Sequence, residues 1–235
     1  FDPLPTGFAS AAAAGFEAVE CHWPYDAPPS AIRKALNDTG LKMLCLNTKP
    51  GNITKGDFGL AALTERQTEA RAIIDEAIAY ASKIDAGQIH VMAGNAFGER
   101  AKETFIKNLD YACKIAAGYD IKILIEPLNK YDAPGYFLQN TSQALEIIAE
   151  VNLQNLKLLF DCYHVQLMEG NLRSRMKELL PQIGHIQFSS VPDRGAPGHG
   201  EIDYFSLFSA IKEMGWRQPL GAEYKVTEAP EKTLD

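Results

Sequence analysis

The stretch that decides the fold runs from residue 122 to residue 162, and it begins with the short apolar run KILIEPL at residues 122–128. Apolar residues then recur at the spacing of one helix face over residues 141–151. A second apolar run, LKLLFDC, occupies residues 156–162. A buried strand, an amphipathic helix and another buried strand in this order predict a βαβ unit with parallel strands.

The same alternation extends over the whole chain. Strand-like apolar runs lie at residues 18–21, 42–47, 88–92, 122–128, 156–162, 185–189 and 220–224. A closed (β/α)8 TIM barrel needs eight parallel strands, so we expect the first strand to lie before Phe1. An open doubly wound sheet is the alternative, but no G-x-G-x-x-G or P-loop motif follows the first run. We therefore predict one barrel domain over residues 1–235.

Composition restricts the class of partner. Hydrophobic residues make up 46% of the chain, and the formal net charge is −7, which disfavours binding to the phosphates of a nucleic acid. No apolar stretch is long enough to cross a membrane. The four cysteines form no C-x-x-C pair, as is typical of a reduced, cytoplasmic protein. We expect a small-molecule partner, and the sequence leaves a homo-oligomer open.

Four consecutive predicted strands each end in an oxygen-bearing side chain, namely Glu126, Asp161, Gln187 and Glu223. The carboxyl ends of barrel strands converge on one mouth, where active sites are built. A single acid at a strand end is more often a helix cap, but four on successive strands are hard to explain in that way. Carboxylate and amide oxygens suit a hard cation, so we predict a site for one divalent ion, Mg²⁺ or Mn²⁺.

Several blocks of the chain resemble the hydroxypyruvate isomerase family, which belongs to the xylose isomerase-like TIM barrels. They are IEPLN (125–129), FDCYHVQ (160–166), GHIQ (184–187), VPDR (191–194), PGHGEIDY (197–204) and EYK (223–225). The resemblance implies that Glu126, Asp161, Gln187 and Glu223 bind the metal, and that Glu126 and Glu223 also serve as the catalytic acid and base. The chain departs from the family pattern at Cys21-His22-Trp23 and Ser189-Ser190.

Other residues are candidates for contact with the substrate. By the resemblance, His164 contacts substrate hydroxyls and Arg194 reaches the substrate from the loop after the penultimate strand. Lys225 has the same strand parity as Glu223, so either Lys225 or Arg194 is suited to bind a substrate carboxylate. His90 ends its strand and either lines the pocket or packs in the core. His22, His185 and His199 receive no assigned role.

The expected reaction is the isomerisation of hydroxypyruvate to tartronate semialdehyde through an enediolate, with the proton moved between two glutamates. Alternatives on the same scaffold are a 2-oxo-tetronate isomerase, a ketose 3-epimerase and an inosose dehydratase-type lyase. Related barrels also include endonucleases that act on abasic DNA, but those need several metals and many histidine ligands. With five histidines and a net charge of −7, this chain does not favour that activity.

Overall fold

A computed structural model describes residues 4–225, and in it seven parallel strands form one sheet whose order follows the chain. The strands are β1 (Ala18–Cys21), β2 (Lys42–Asn47), β3 (Gln88–His90), β4 (Lys122–Ile125), β5 (Leu156–Asp161), β6 (Ile183–Phe188) and β7 (Gly221–Ala222). Each neighbouring pair is parallel. The sheet is nearly closed, which confirms the prediction of a TIM barrel rather than an open sheet.

Helices connect the strands and cover the outside of the barrel. They are α1 (Gly7–Ala13), α2 (Pro29–Thr39), α3 (Gln67–Ile84), α4 (Glu99–Ala116), α5 (Thr141–Val151), α6 (Cys162–Met168), α7 (Leu172–Leu179) and α8 (Tyr204–Glu213). Short 3₁₀ turns lie at Pro24–Asp26, Ile53–Lys55, Thr64–Arg66, Ala117–Tyr119 and Leu180–Gln182. Within residues 4–225, no helix has the length and apolar character needed to cross a membrane.

Alternation along the central strands separates two apolar regions. On β4, Ile123 and Ile125 pack in the main core between sheet and helices, whereas Leu124 packs with Leu159 of β5 and with Cys45 in a small cluster inside the barrel. Every second side chain of a strand points to the same face. Asp161 therefore continues the inner row of β5, and Glu126 continues the inner row of β4, at the upper end of the barrel.

The seam of the barrel lies between β1 and β7. Within residues 4–225, β1 pairs with β2 and β7 pairs with β6, and the two edge strands do not pair with each other. A cavity of about 480 Å³ lies between these edges and is lined in part by Phe8, Val19 and Leu220. The strand that we expect before Phe1 lies outside the described residues.

Three loops at the upper end are joined into one wall, which we call the β2–β4 wall and define as residues 48–63, 91–98 and 126–139. Gly59 forms an antiparallel bridge with Ala93, and Asn95 forms another with Tyr136. Gly94 has a positive φ of 91°, and a Cβ there would lie 2.7 Å from the carbonyl carbon of Gly59. Glycine at position 94 thus permits the close approach of two loop backbones.

Candidate active site

The four predicted metal ligands gather at the carboxyl ends of β4 to β7. Glu126, Asp161 and Gln187 are buried, with at most 6% of each residue exposed, and the Glu223 side chain is partly exposed. Glu126 follows β4 directly, whereas Asp161 and Gln187 lie within β5 and β6. The barrel therefore brings together side chains that are separated by about a hundred residues of sequence.

Three oxygen atoms of this set have no hydrogen-bond partner among the described residues. They are Oε1 of Glu126, Oδ2 of Asp161 and Oε1 of Gln187, all of them buried. A buried acceptor without a partner carries a desolvation cost of about 1–3 kcal/mol, and more when it is charged. Unpaired oxygens from two acids and one amide are the donor set that a hard divalent cation prefers, so these residues fit the predicted ion.

Asp161 combines a structural and a chemical role. Its Oδ1 accepts the backbone N–H of Tyr163 at 2.8 Å and so caps α6, while its Oδ2 has no hydrogen-bond partner among the described residues. Burial, reinforced by the charge of Glu223, raises the pKa of Asp161 to about 7. The helix-cap and ligand interpretations of this residue are compatible because each uses a different oxygen.

Glu126 and Glu223 lie in contrasting electrostatic surroundings. Burial, together with the negative charges of Glu223 and Asp161, raises the pKa of Glu126 well above its usual value. For Glu223 burial acts in the same direction, but the hydrogen bond from His22 and the charge of Arg194 outweigh it and lower the pKa to about 2. Two carboxyls whose surroundings separate their pKa values are suited to act as a proton-transfer pair.

His164 presents a hydrogen-bond donor to the site. Its Nδ1 accepts the backbone N–H of Asn129 at 3.0 Å, and burial lowers the pKa of the imidazole to about 4. A neutral imidazole whose Nδ1 accepts must carry its proton on Nε2. That atom lies 3.6 Å from Oδ2 of Asp161 and 4.0 Å from Oε1 of Glu126.

Glu126, Asp161 and His164 form a group whose ligand-type atoms lie within 4.8 Å of one another, as is typical of a metal site. In this arrangement His164 directs an N–H group, not a lone pair, towards the carboxylates. It is therefore better placed to donate a hydrogen bond to a substrate oxygen than to bind the ion.

Arg194 is the cation in contact with the carboxylates. Its guanidinium lies 3.0 Å from Oε1 of Glu223 and 3.5 Å from Oδ2 of Asp161, and it packs over the ring of Tyr163. Its φ of 58° is in the left-handed region, which costs an L-residue about 1–2 kcal/mol. Hydrogen bonds from Ser190 and His199 to Asp193 hold this loop conformation.

The two remaining candidates lie in different surroundings. His90 is buried, with Nδ1 3.4 Å from Oε2 of Glu126, and burial lowers the pKa of its imidazole to about 3. Its ring therefore lies buried against the Glu126 carboxyl. Lys225 is exposed, its backbone N–H donates to the carbonyl of Arg194, and its ammonium forms no ion pair within residues 4–225. Because β7 ends at Ala222, strand parity does not extend to Lys225.

Two residues of the site were missed in the sequence. His22 lies 3.0 Å from Oε1 of Glu223, and Glu20 accepts hydrogen bonds from Gln187 and His185. A signal for Glu20 was present, because a carboxylate within the apolar run AVEC is costly unless it is paired. His22 lies in the stretch Cys21-His22-Trp23 that departs from the family pattern, but no local signal indicates its contact with Glu223.

The family model described as Xylose isomerase-like TIM barrel matches residues 8–235. The chain belongs to this family. A 2-oxo-tetronate isomerase from Cupriavidus necator is 40% identical over 222 residues, which cover 93% of this chain and 85% of the relative. A Homo sapiens protein that bears the name of a hydroxypyruvate isomerase is 37% identical over 232 residues, which cover 94% of this chain and 84% of the relative.

Solved structures agree with the fold. A crystal structure described as AP endonuclease, family 2, from Brucella melitensis has a TM-score of 0.96 at 36% identity, covering 100% of this chain and 93% of that chain. A D-psicose 3-epimerase from Clostridium cellulolyticum has a TM-score of 0.80 at 14% identity, covering 100% and 84%, and supports the fold alone. The isomerase names of the curated relatives confirm both the resemblance and the prediction of an isomerase.

Proposed function

We propose that this chain is a metal-dependent isomerase that interconverts hydroxypyruvate and tartronate semialdehyde. The observation that carries the proposal is a set of three buried oxygens without a hydrogen-bond partner, from Glu126, Asp161 and Gln187, at the barrel mouth beside Glu223. Glu126 belongs both to this group and to the acid–base pair with Glu223, so the arrangement joins a cation site to that pair. Relatives named 2-oxo-tetronate isomerase or hydroxypyruvate isomerase support the same class of reaction.

Glu126, Asp161, Gln187 and Glu223 are the residues that would hold the divalent ion. When bound, such an ion supplies positive charge that stabilises negative charge developing on the substrate oxygens. The high pKa of Glu126 and Asp161 in the present arrangement reflects anionic groups buried close together. A bound cation relieves the repulsion between negative charges that are buried close together, and for this reason we expect the ion to bind tightly.

Proton transfer is assigned to the two glutamates. One carboxylate removes a proton from C3 of hydroxypyruvate, and the electron pair of the C–H bond forms the double bond of an enediolate. The other carboxyl delivers a proton to C2, while the oxygen on C2 gains a proton and the oxygen on C3 loses one. Glu126 and Glu223 follow β4 and β7, which are three strands apart in the sheet, so they approach the substrate from different sides.

His164 and Arg194 orient the substrate. The Nε2–H of His164 is directed between two carboxylates and donates to a substrate oxygen. Arg194 has a partly exposed guanidinium that pairs with Glu223 in this structure and binds the substrate carboxylate in the complex. Lys225, held beside it by a backbone hydrogen bond, offers a second cation at the rim, and His90 limits the depth of the pocket.

A 2-oxo-tetronate isomerase is the second candidate, because a relative with that name is 40% identical to this chain. The substrates of the two candidates share a carboxylate next to a keto group and differ in length. A ketose 3-epimerase and a dehydratase-type lyase use the same proton abstraction. Nuclease activity, suggested by the description of the Brucella structure, is disfavoured by the net charge of −7 and by the small number of histidines in the chain.

The experiment that tests the proposal is proton NMR of hydroxypyruvate in D₂O with metal-stripped enzyme, before and after addition of Mg²⁺. We expect tartronate semialdehyde to form only with the ion, with deuterium at the carbon that receives the proton. Deuterium exchange without product would support the proton abstraction but favour the longer keto acid or a ketose as the substrate. Absence of exchange with every substrate and with both Mg²⁺ and Mn²⁺ would reject the isomerase mechanism.

A further inference from the structure

We infer that Glu20 is a positioning residue that fixes the orientation of the Gln187 amide, so that the amide oxygen faces the ion site. The inference rests on the proposed function, because Gln187 is a ligand only if the site binds a metal. It concerns a contact between β1 and β6, two strands that are not hydrogen-bonded neighbours in the sheet.

The geometry is direct. Oε1 of Glu20 accepts a hydrogen bond from Nε2 of Gln187 at 3.0 Å, and Oε2 of Glu20 lies 2.7 Å from Nε2 of His185. The other end of the Gln187 amide, Oε1, is buried without a partner among the described residues. One end of the amide is therefore held by β1, and the other end is left without a hydrogen-bond partner on a residue that pairs in register with Asp161.

An amide needs such a partner to act as a defined ligand. Its oxygen and nitrogen ends have nearly the same shape, and a half-turn about χ3 exchanges them. Only the oxygen end can bind a cation, because the NH₂ group is a donor without an available lone pair. A carboxylate accepts hydrogen bonds, so Glu20 stabilises the orientation in which nitrogen points to β1 and oxygen points to the site.

Two features hold the Glu20 carboxylate in this position. His185 binds its second oxygen from the layer below Gln187. Gly221 of β7 leaves the space that the carboxylate crosses, since a Cβ there would meet Glu20 Oε1, with Gln187 Cγ at 2.8 Å and His185 Nε2 at 2.9 Å. Any larger residue at position 221 would displace the link between Glu20 and Gln187.

A double-mutant cycle on Mn²⁺ affinity tests the inference without reference to turnover. The variants are Glu20→Gln, Gln187→Ala and the double variant, with Glu178→Gln, an exposed acid on α7, as the matched control. We expect Glu20→Gln to raise the Kd for Mn²⁺ by about 10- to 100-fold, because the introduced amide can donate a hydrogen bond and so allow Gln187 to rotate. The double variant should bind Mn²⁺ no more weakly than Gln187→Ala alone.

Further measurements separate the hydrogen bond from charge and from folding. Glu20→Asp keeps the charge but shortens the side chain, so we expect it to weaken Mn²⁺ binding as well. Far-UV circular dichroism and thermal unfolding show whether each variant folds. If Glu20→Gln does not fold, the Kd of Glu20→Asp for Mn²⁺ tests the inference in its place.

The outcomes have distinct meanings. A wild-type Kd in Glu20→Gln, or the same loss of affinity from this substitution in the presence and absence of Gln187, would overturn the positioning role while leaving the metal site intact. An unchanged Kd in Gln187→Ala would instead remove Gln187 from the ligand set, and with it both the proposed ligand arrangement and the role of Glu20.

Discussion

The backbone N–H of Asn129 donates to Nδ1 of His164 across 3.0 Å, and this hydrogen bond determines what the other ring nitrogen can do. With Nδ1 occupied as an acceptor, a neutral imidazole carries its proton on Nε2 and faces the carboxylates as a donor. The side-chain NH₂ of Asn129, 2.8 Å from the same nitrogen, supports this tautomer. We therefore propose that His164, although it belongs to a potential ligand group, donates to the substrate.

The first prediction concerns the variant His164→Ala. Loss of a donor to a substrate oxygen should lower kcat/KM for hydroxypyruvate by about 100-fold, as is typical of removing a group that stabilises developing charge. The Kd for Mn²⁺, measured by calorimetry, should stay within about twofold of wild type, because a donor does not ligate the ion. A large increase in that Kd would identify His164 as a ligand instead.

The second prediction concerns the proton-transfer pair. Glu126→Gln and Glu223→Gln keep the shape of each side chain but remove its ability to accept a proton, so each should reduce turnover by about 10²–10⁴-fold. Deuterium uptake from D₂O into hydroxypyruvate, measured at saturating Mg²⁺, distinguishes lost chemistry from lost metal. Glu178→Gln is the control, and wild-type uptake in either site variant would exclude that glutamate from catalysis.

The third prediction concerns Arg194. We expect Arg194→Ala to raise KM for hydroxypyruvate by about 10- to 100-fold, because a charge-assisted hydrogen bond to the substrate carboxylate is lost. Arg194→Lys should recover only part of this effect, since lysine cannot form a bidentate pair. Initial rates over a range of hydroxypyruvate concentrations check the prediction. An unchanged KM would mean that another cation, such as Lys225, binds the substrate carboxylate.

The fourth prediction concerns Asp161→Asn without metal. The asparagine Oδ1 can still cap α6, while removal of the charge relieves repulsion from Glu126 and Glu223. We therefore expect the metal-free variant to have a higher Tm than wild type at pH 8, by about 2–4 °C per kcal/mol of repulsion relieved. The rise in Tm that Mn²⁺ gives to the wild type should be lost, and calorimetry with and without Mn²⁺ measures both changes.

The fifth prediction concerns His90 and pH. Burial lowers the pKa of its imidazole from 6.5 to about 3. Between these two pH values the imidazole is protonated in the unfolded chain and neutral in the folded chain. The contribution of His90 to stability is complete above pH 6.5 and is lost as the pH falls towards 3, by on the order of a few kcal/mol. Urea unfolding of wild type and His90→Asn from pH 8 to pH 4 should show a steeper loss in wild type.

The barrel and its four ligand-type side chains could be predicted because both depend on local sequence. Glu126 and Asp161 each continue an inner row of a strand whose apolar pattern is visible, so their position at the mouth follows from parity. The contacts of Glu20 with Gln187 and of His22 with Glu223 join residues 167 and 201 positions apart. Such pairings depend on how the barrel closes, which no local pattern specifies.

Strand parity does not predict the direction of the Lys225 side chain. The apolar run at residues 220–224 predicts a strand that would place Lys225 on the same face as Glu223. In the structure β7 has two residues, and the chain beyond it pairs through the Lys225 N–H with the carbonyl of Arg194. Alternation of side chains ends where the ladder ends, so the ammonium is exposed.

The β2–β4 wall has a consequence for how the substrate range of this barrel can change. Its loops touch through backbone atoms at Gly59 and Gly94, so a substitution at one glycine requires a matching shift in the opposite loop. The loop that carries Arg194 is held both by side-chain hydrogen bonds among Ser190, Asp193 and His199 and by backbone hydrogen bonds, and a Cβ at Gly200 would meet the carbonyl oxygen of Val191. Divergence towards longer or shorter acids should therefore accumulate at side-chain positions around the mouth, while Gly59, Gly94 and Gly200, where two backbones meet, stay fixed.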